Sequence, residues 1–347
     1  HAAVLGWLGL CVGFGALLVY ADHHTEAVLT EAMDEPPAAE DFDGGLETDL
    51  DALRRFRQAL ISLSAQQQGG WHGLLPFSRH IEQVQEHYRS DYVRLFDREI
   101  RTPVFDGVIS QNLRGALNSG DPRLIAAYAE FLVRRINLLD ARLNNQSMDN
   151  LPLPGSEVGF LNLTYGSKQA TSAGQLVTLG SSYRSYLEWQ TDMAQMQGQR
   201  AALLGQLESM GLEGRPLTWL KAWAELQDNL PPIRLAEYWS DSDNPGLSLS
   251  GAYTSQGHTA IFAFMDELGL ASRDSALWET QRVKFLDQYR SDTQDAWYRF
   301  LQGSLLSAQT RLKNRGDWQL ALSVVGTPND PFLKLLHRSA ERFALIP

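Results

Sequence analysis

The stretch that most restricts this chain is its first apolar run, Ala2 to Tyr20 (AAVLGWLGLCVGFGALLVY), which holds no charge and no Pro, Asn or Gln. As a helix at about 1.5 Å per residue it measures roughly 30 Å, the thickness of a bilayer's hydrocarbon core. Gly6, Gly9, Gly13 and Gly15 would weaken a helix in water. In lipid the backbone must bond to itself, so the helix tolerates them, and small residues let a second helix approach closely. Trp7 and Tyr20 suit the membrane interfaces, with Tyr20 the better placed. A buried core helix of this length normally carries a polar stripe, and this run has none. A signal peptide starts with Met and a basic n-region, whereas this chain starts with His1. Residues 1–21 are therefore predicted to be a transmembrane helix in a protein that continues upstream.

Charge orients that helix. Beyond Tyr20 come Asp22, Glu26, Glu31, Asp34, Glu35, Glu40, Asp41, Asp43, Glu47 and Asp49, with no Lys or Arg before Arg54. Cytoplasmic flanks are rich in Lys and Arg. The expected location is a bacterial inner membrane, with the residues after about 21 in the periplasm. The acidic stretch 22–45, with Pro36-Pro37 and Gly44-Gly45, reads as a solvated stalk. His23 and His24 have no ordered second pair of ligands nearby and are read as solvated, so no metal and no cofactor is expected. The single cysteine, Cys11, lies in the apolar run and leaves the outer part without disulfides or a thiol site. The chain has 347 residues, 44% of them hydrophobic, enough for one or two packed cores beyond the membrane. A net charge of −11 without a basic stripe argues against nucleic acid.

Helical spacing recurs through most of the rest, which predicts a mainly all-α, elongated multi-helix region. Leu46, Leu50, Leu53, Phe56, Leu60 and Leu63 recur at helical intervals before Gly69-Gly70. A second helix is expected from Arg79 to Ile100, interrupted by Pro103. His80 and His87 are two turns apart on it, too far to share a metal. Asp121-Pro122 starts a third, a capping side chain followed by Pro at the first helical position, running to about Asn145. Its Arg134 and Arg135 are read as a solvated face or as partners of nearby acids in preference to anion ligands. Residues 151–183 are rich in Gly, Ser, Thr and Pro, with β-like pieces such as FLNLTY, and predict an irregular or β-like insertion. It divides a first helical region, 46–150, from a second, 184–347. In the second, Thr254 is the expected cap of a helix to about Leu268. A long helix follows, Asp274 to about Leu312, with Phe285, Tyr289, Trp297, Phe300 and Leu301 roughly on one face. Asn329 or Asp330 caps a last helix opened by Pro331.

The order of these pieces resembles the periplasmic helical part of the IcmF/TssM family, the inner-membrane component of type VI secretion. The resemblance covers most of residues 80–347. It is carried by LTWLKAWAELQDNLPPIRLAEYW (217–239), GAYTSQGHTAIFAFMDEL (251–268), FLDQYRSDTQDAWYRFL (285–301) and DWQLALSVVGTPNDPFLKLLHRSAE (317–341). The family's aromatic-Thr-x-x-Gly segment is matched by Tyr253, Thr254 and Gly257, with Tyr where Phe is more usual. Its Tyr…Trp-x-x-Phe segment is matched by Tyr289, Trp297 and Phe300. Its Asn-x-Pro-aromatic-x-x-Leu-Leu segment is matched by Asn329, Pro331, Phe332, Leu335 and Leu336. DPRLIAAYAEFLVRRINLLDARL (121–143) resembles its Leu-rich helix. The resemblance implies earlier membrane helices and a cytoplasmic nucleotide-binding-like domain before this stretch. It also implies a β-rich domain after it that meets an outer-membrane lipoprotein. No G-x-x-x-x-G-K-[ST] occurs here, so no nucleotide site is assigned.

The expected function is a structural scaffold in an envelope-spanning secretion complex, not an enzyme. Implied partners are an inner-membrane TssL-like protein, an outer-membrane TssJ-like lipoprotein, further copies of the chain and membrane lipid. Tyr253, Tyr289, Trp297, Phe300, Phe332, Leu335 and Leu336 are expected to form structural core, and Asp121, Thr254 and Asp330 to cap helices. Rings at helical spacing are more often core than ligand platform. Two rival classes are a peptidoglycan-active enzyme and a membrane-tethered helical sensor. There is no H-E-x-x-H and no G-x-S-x-G, since GLSLSG lacks the final Gly of the elbow, and no second span precedes a signalling module.

Overall fold

The computed structural model describes residues 46–68, 78–154, 173–210, 217–237, 247–272, 274–312, 314–327 and 330–342, with Phe42 before them. Of the described residues 81% are helical and 2% are in strands, so the fold is mainly α. None of their helices is long and apolar enough to cross a membrane. The expected spanning helix, 1–21, and the stalk, Phe42 aside, lie outside the described residues.

The chain forms two compact units, and their boundaries interleave along the sequence. The first gathers the described residues within His1–Asn112, Leu138–Val158 and Lys168–Gly198. The second gathers those within Leu113–Asn137 and Gln199–Pro347. In each unit, helices far apart in sequence share a core.

In the first unit α1 (Leu46–Gln68) packs on α2 (Ser78–Phe96) and on α5 (Ala173–Trp189). Leu50, Leu53, Phe56 and Leu60, three or four apart, are the buried stripe of α1. After Phe96 the chain continues as a π-helix, Asp97–Val108, with Pro103 inside it. Pro103 was expected to interrupt the helix, because it has no N–H to donate. The chain instead widens its turn, and Ile100, Val104 and Phe105 stay buried. Ala173–Trp189 is helical where an irregular insertion was expected over 151–183. Leu179, Tyr183, Tyr186 and Leu187 are all buried on it, and that packing outweighs the local Gly and Ser. Gly180 fits because a Cβ there would lie 2.8 Å from the Leu153 Cβ. The piece FLNLTY lies outside the described residues.

Two helices carry the chain onward, α3 (Ile109–Ser119) and α4 (Pro122–Leu143). Asp121 Oδ1 accepts from the Arg123 N–H at 2.9 Å at the start of α4. Arg134 and Arg135 are buried, not on a solvated face. Arg134 reaches Glu130 at 2.5 Å and Glu267 at 3.1 Å, and the Arg135 guanidinium sits 5.4 Å from the centre of the Phe131 ring. A helix α6 (Met193–Ser209) follows α5.

The second unit builds on α7 (Trp219–Glu225), a two-stranded antiparallel ribbon β1 (Ile233–Arg234) and β2 (Ser248–Leu249), and α8 (Ser255–Ala271). The ribbon pairs Ile233 with Leu249 and Arg234 with Ser248. Then come α9 (Ser275–Arg311), α10 (Arg315–Val324) and α11 (Pro331–Arg342). A 3₁₀ turn, Gly251–Tyr253, packs against α7, α8 and α9 and is the hub of this unit.

Candidate functional site

The sequence motifs come together around that 3₁₀ turn. Thr254 is extended, with φ −95° and ψ 167°, and its Oγ1 accepts from the Gly257 N–H at 3.1 Å. The same hydroxyl donates to the Gly251 carbonyl at 2.7 Å. One side chain therefore closes the turn and caps α8. The backbones approach so closely that only glycine fits at two positions. A Cβ on Gly251 would lie 2.1 Å from the Leu230 carbonyl oxygen, and one on Gly257 would lie 2.1 Å from that of Gly251.

Helix α9 locks onto this turn through the backbone. The Tyr289 hydroxyl donates to the Ala252 carbonyl, and the Trp297 indole N–H donates to the Tyr253 carbonyl at 2.8 Å. Tyr253 stacks on Tyr289 with ring centres 6.2 Å apart, and Phe285 stacks on Tyr289 at 5.5 Å. Burial raises the pKa of both tyrosines, which keeps the Tyr289 hydroxyl protonated as a donor. Trp297 and Phe300 continue into a cluster with Ile233, Leu235, Leu249 and Leu335, against which Tyr253 is partly buried. Lys221 on α7 donates to Asp292 on α9 at 2.6 Å. Burial alone would raise Asp292, but hydrogen bonds from Lys221 and Gln288 outweigh it and hold the carboxyl below its usual value.

Of the residues expected in the core, Tyr289, Trp297, Phe300 and Leu335 are buried and Tyr253 is half-buried. Leu336 is not in the core, being 61% exposed. Adjacent helical residues point about 100° apart, so Leu335 and Leu336 cannot both face α9. The Phe332 side chain lies outside what is described. Asp330 is buried at the head of α11. Its Oδ1 accepts from the Leu333 N–H at 3.3 Å and its Oδ2 from the Gly326 N–H at 3.0 Å. Gly326 has φ +75°, which suits glycine.

Two features escaped the sequence. Asn314 and Asp317 form a reciprocal capping box at the head of α10, legible in principle from the N-x-x-D spacing. In the first unit, Phe96 stacks on Tyr186 at 5.1 Å, and Phe105 meets Tyr183 at 5.4 Å. The Tyr186 hydroxyl donates to Asp97 at 3.1 Å, and Asp97 and Asp106 both pair with Arg101. No spacing rule announces this cluster, because its members come from two segments far apart in sequence.

Among the described residues no group of three or more His, Cys, Asp or Glu could hold a metal. His87 is exposed and 3.6 Å from Asp91, while His23 and His24 lie outside the described residues. Chemically, the junction around residue 254 has its tyrosine and indole donors committed to backbone carbonyls, and its geometry is that of a joint between helices. Comparison with protein-family models, curated proteins and solved structures finds no match for the chain.

Proposed function

We propose that the chain is a scaffold segment of an envelope-spanning secretion complex of the IcmF/TssM kind. In this reading the run 2–20 anchors it in the inner membrane and its helical units stand in the periplasm. The observation that supports this is the junction itself. Tyr253, Thr254, Gly257, Tyr289, Trp297, Phe300 and Leu335, drawn from the segments that carry the resemblance, meet in one packed joint. Motif residues spent on holding helices together suit a load-transmitting part. The partners in this reading are further copies of the chain, a TssL-like inner-membrane protein and a TssJ-like lipoprotein. Imaging the detergent-solubilised particle purified from its own membranes tests it. A multi-copy, multi-subunit particle is expected, and a single chain without partners overturns the reading. Topology is tested with Thr48→Cys, an exposed position at the start of α1. It should react with a membrane-impermeant thiol reagent in spheroplasts, and reaction only after lysis overturns the periplasmic placement.

A second reading, a membrane-tethered ligand-binding domain, is favoured by one feature, the cleft described next.

A further inference from the structure

Helix α2 and the end of α5 enclose a cleft of about 410 Å³, a size suited to a small ligand. From α2 come Glu82, Gln85, Glu86 and Arg89, spaced three or four apart and so on one face. From the end of α5 come Glu188 and Trp189. This second wall is held in place. Arg142 donates to the Leu187 carbonyl at 2.8 Å and to the Gln190 carbonyl at 3.1 Å, and Trp189 packs edge-on against Tyr92 at 4.9 Å.

Two donors of the cleft are buried without partners, while Glu82, Glu86 and Glu188 stand exposed at its rim. Gln85 is only 3% exposed, and its amide nitrogen has no hydrogen-bond partner. A buried donor without a partner is costly, and such groups are rare. Arg89 donates to the Ser64 hydroxyl at 3.0 Å, while its Nε is buried without a partner. No carboxylate among the described residues pairs with Arg89, and no cation among them pairs with Glu82 or Glu86. Donors and carboxylates thus share one cleft without meeting.

We propose that this cleft binds a small zwitterion of the amino-acid class, its carboxylate taken by Arg89 and Gln85 and its ammonium by Glu82, Glu86 and Glu188. A plain amine would suit the acids but leave Gln85 and Arg89 unmet. A plain carboxylate would face three acids. Only a ligand with both groups answers both sets. Glu188 is 3.7 Å from Arg184, and burial raises its pKa. The proposal does not rest on the scaffold reading, since none of its residues belongs to the junction around Thr254.

The test uses the full chain in detergent, with L-alanine and L-lysine as probes and propionate and n-propylamine as their halves. Isothermal titration should give a Kd of about 1 mM or tighter for at least one amino acid. Each half should bind at least about tenfold more weakly, because charge-assisted bonds are lost at one end. Arg89→Gln, and separately Glu82→Gln with Glu86→Gln, should weaken amino-acid binding by a similar factor. Should either variant fail to show the parent's melting transition, Gln85→Leu provides the same test. Absence of binding by both amino acids, equal binding of one half-probe, or unchanged affinity in the folded variants overturns the proposal. Any of these outcomes leaves the scaffold reading standing.

Discussion

The two units both close around aromatic side chains that pack on one another, and the second adds a turn whose glycines bring backbone and rings close together. In the first, rings meet rings: Phe56 and Tyr92 at 5.8 Å, Tyr92 and Trp189 at 4.9 Å, Phe96 and Tyr186 at 5.1 Å. In the second, ring donors from α9 meet the backbone of the Gly251–Tyr253 turn, and glycines let the chains approach. Ring-on-ring packing asks mainly for volume and shape, so several residues can serve at each position. A ring bonded to one carbonyl, over a glycine with no room for a Cβ, asks for particular residues at particular spacings. Motifs therefore show in the second unit and not in the first.

The comparison can be broken most forcefully at Trp297. Trp297→Ala removes a large buried ring and a backbone hydrogen bond, and should cost about 3–5 kcal/mol. Hydrogen exchange read by mass spectrometry should quicken across 217–342 and stay unchanged across α1 and α2. Equal quickening in both would show that the units are not held separately.

Gly251→Ala comes next. The added methyl has to displace the Leu230 backbone, and overpacking of this kind costs about 1–3 kcal/mol or more. In contrast, Gly115→Ala and Gly205→Ala meet nothing within 4 Å and should lower the melting temperature little or not at all. A Gly251→Ala protein that melts with its parent would remove the backbone-fit argument for the second unit.

In the first unit the sharpest probe is polar. Tyr186→Phe keeps the ring and deletes the donor to Asp97, so about 1.5 kcal/mol is expected, measured by denaturant midpoint. Asp97 keeps Arg101, which holds the cost at the lower end. A loss as large as that of Trp297→Ala would mean that the π-helix is tied down by this bond more than by ring packing.

The smallest effect is one of pH. His258 stacks near Phe262 and Tyr289, and burial lowers its pKa below the ordinary value of about 6.5. The unfolded chain therefore takes up the proton first as pH falls. Its contribution to stability is fully present above about pH 6.5 and is lost as pH falls through the folded value. The melting temperature of the parent should drop more than that of His258→Phe between about pH 7.5 and 5.5. Parallel curves would show that His258 is not linked to folding of the second unit.

How much could be read beforehand depended on whether the signal was local. The helix Leu46–Gln68, the start of α4 at Asp121-Pro122, the cap at Thr254 and the start of α11 at Asp330 are written in short-range chemistry: apolar spacing, capping oxygens, and Pro where no N–H is needed. Only the tertiary structure decided that Gly- and Ser-rich residues 173–183 are helical, because their burial against α1 and α2 comes from partners distant in sequence. It likewise turned the Pro103 break into a π-helix and, of the two readings open for Arg134, chose pairing with nearby acids over a solvated face. Leu335 was separated from Leu336 because a helix offers its neighbour only one of two adjacent side chains. The sequence by itself determined where helices start and which residues could line a core. Which faces meet, and so which polar groups are buried without a partner, as at Gln85, depends on contacts between segments that no local pattern encodes.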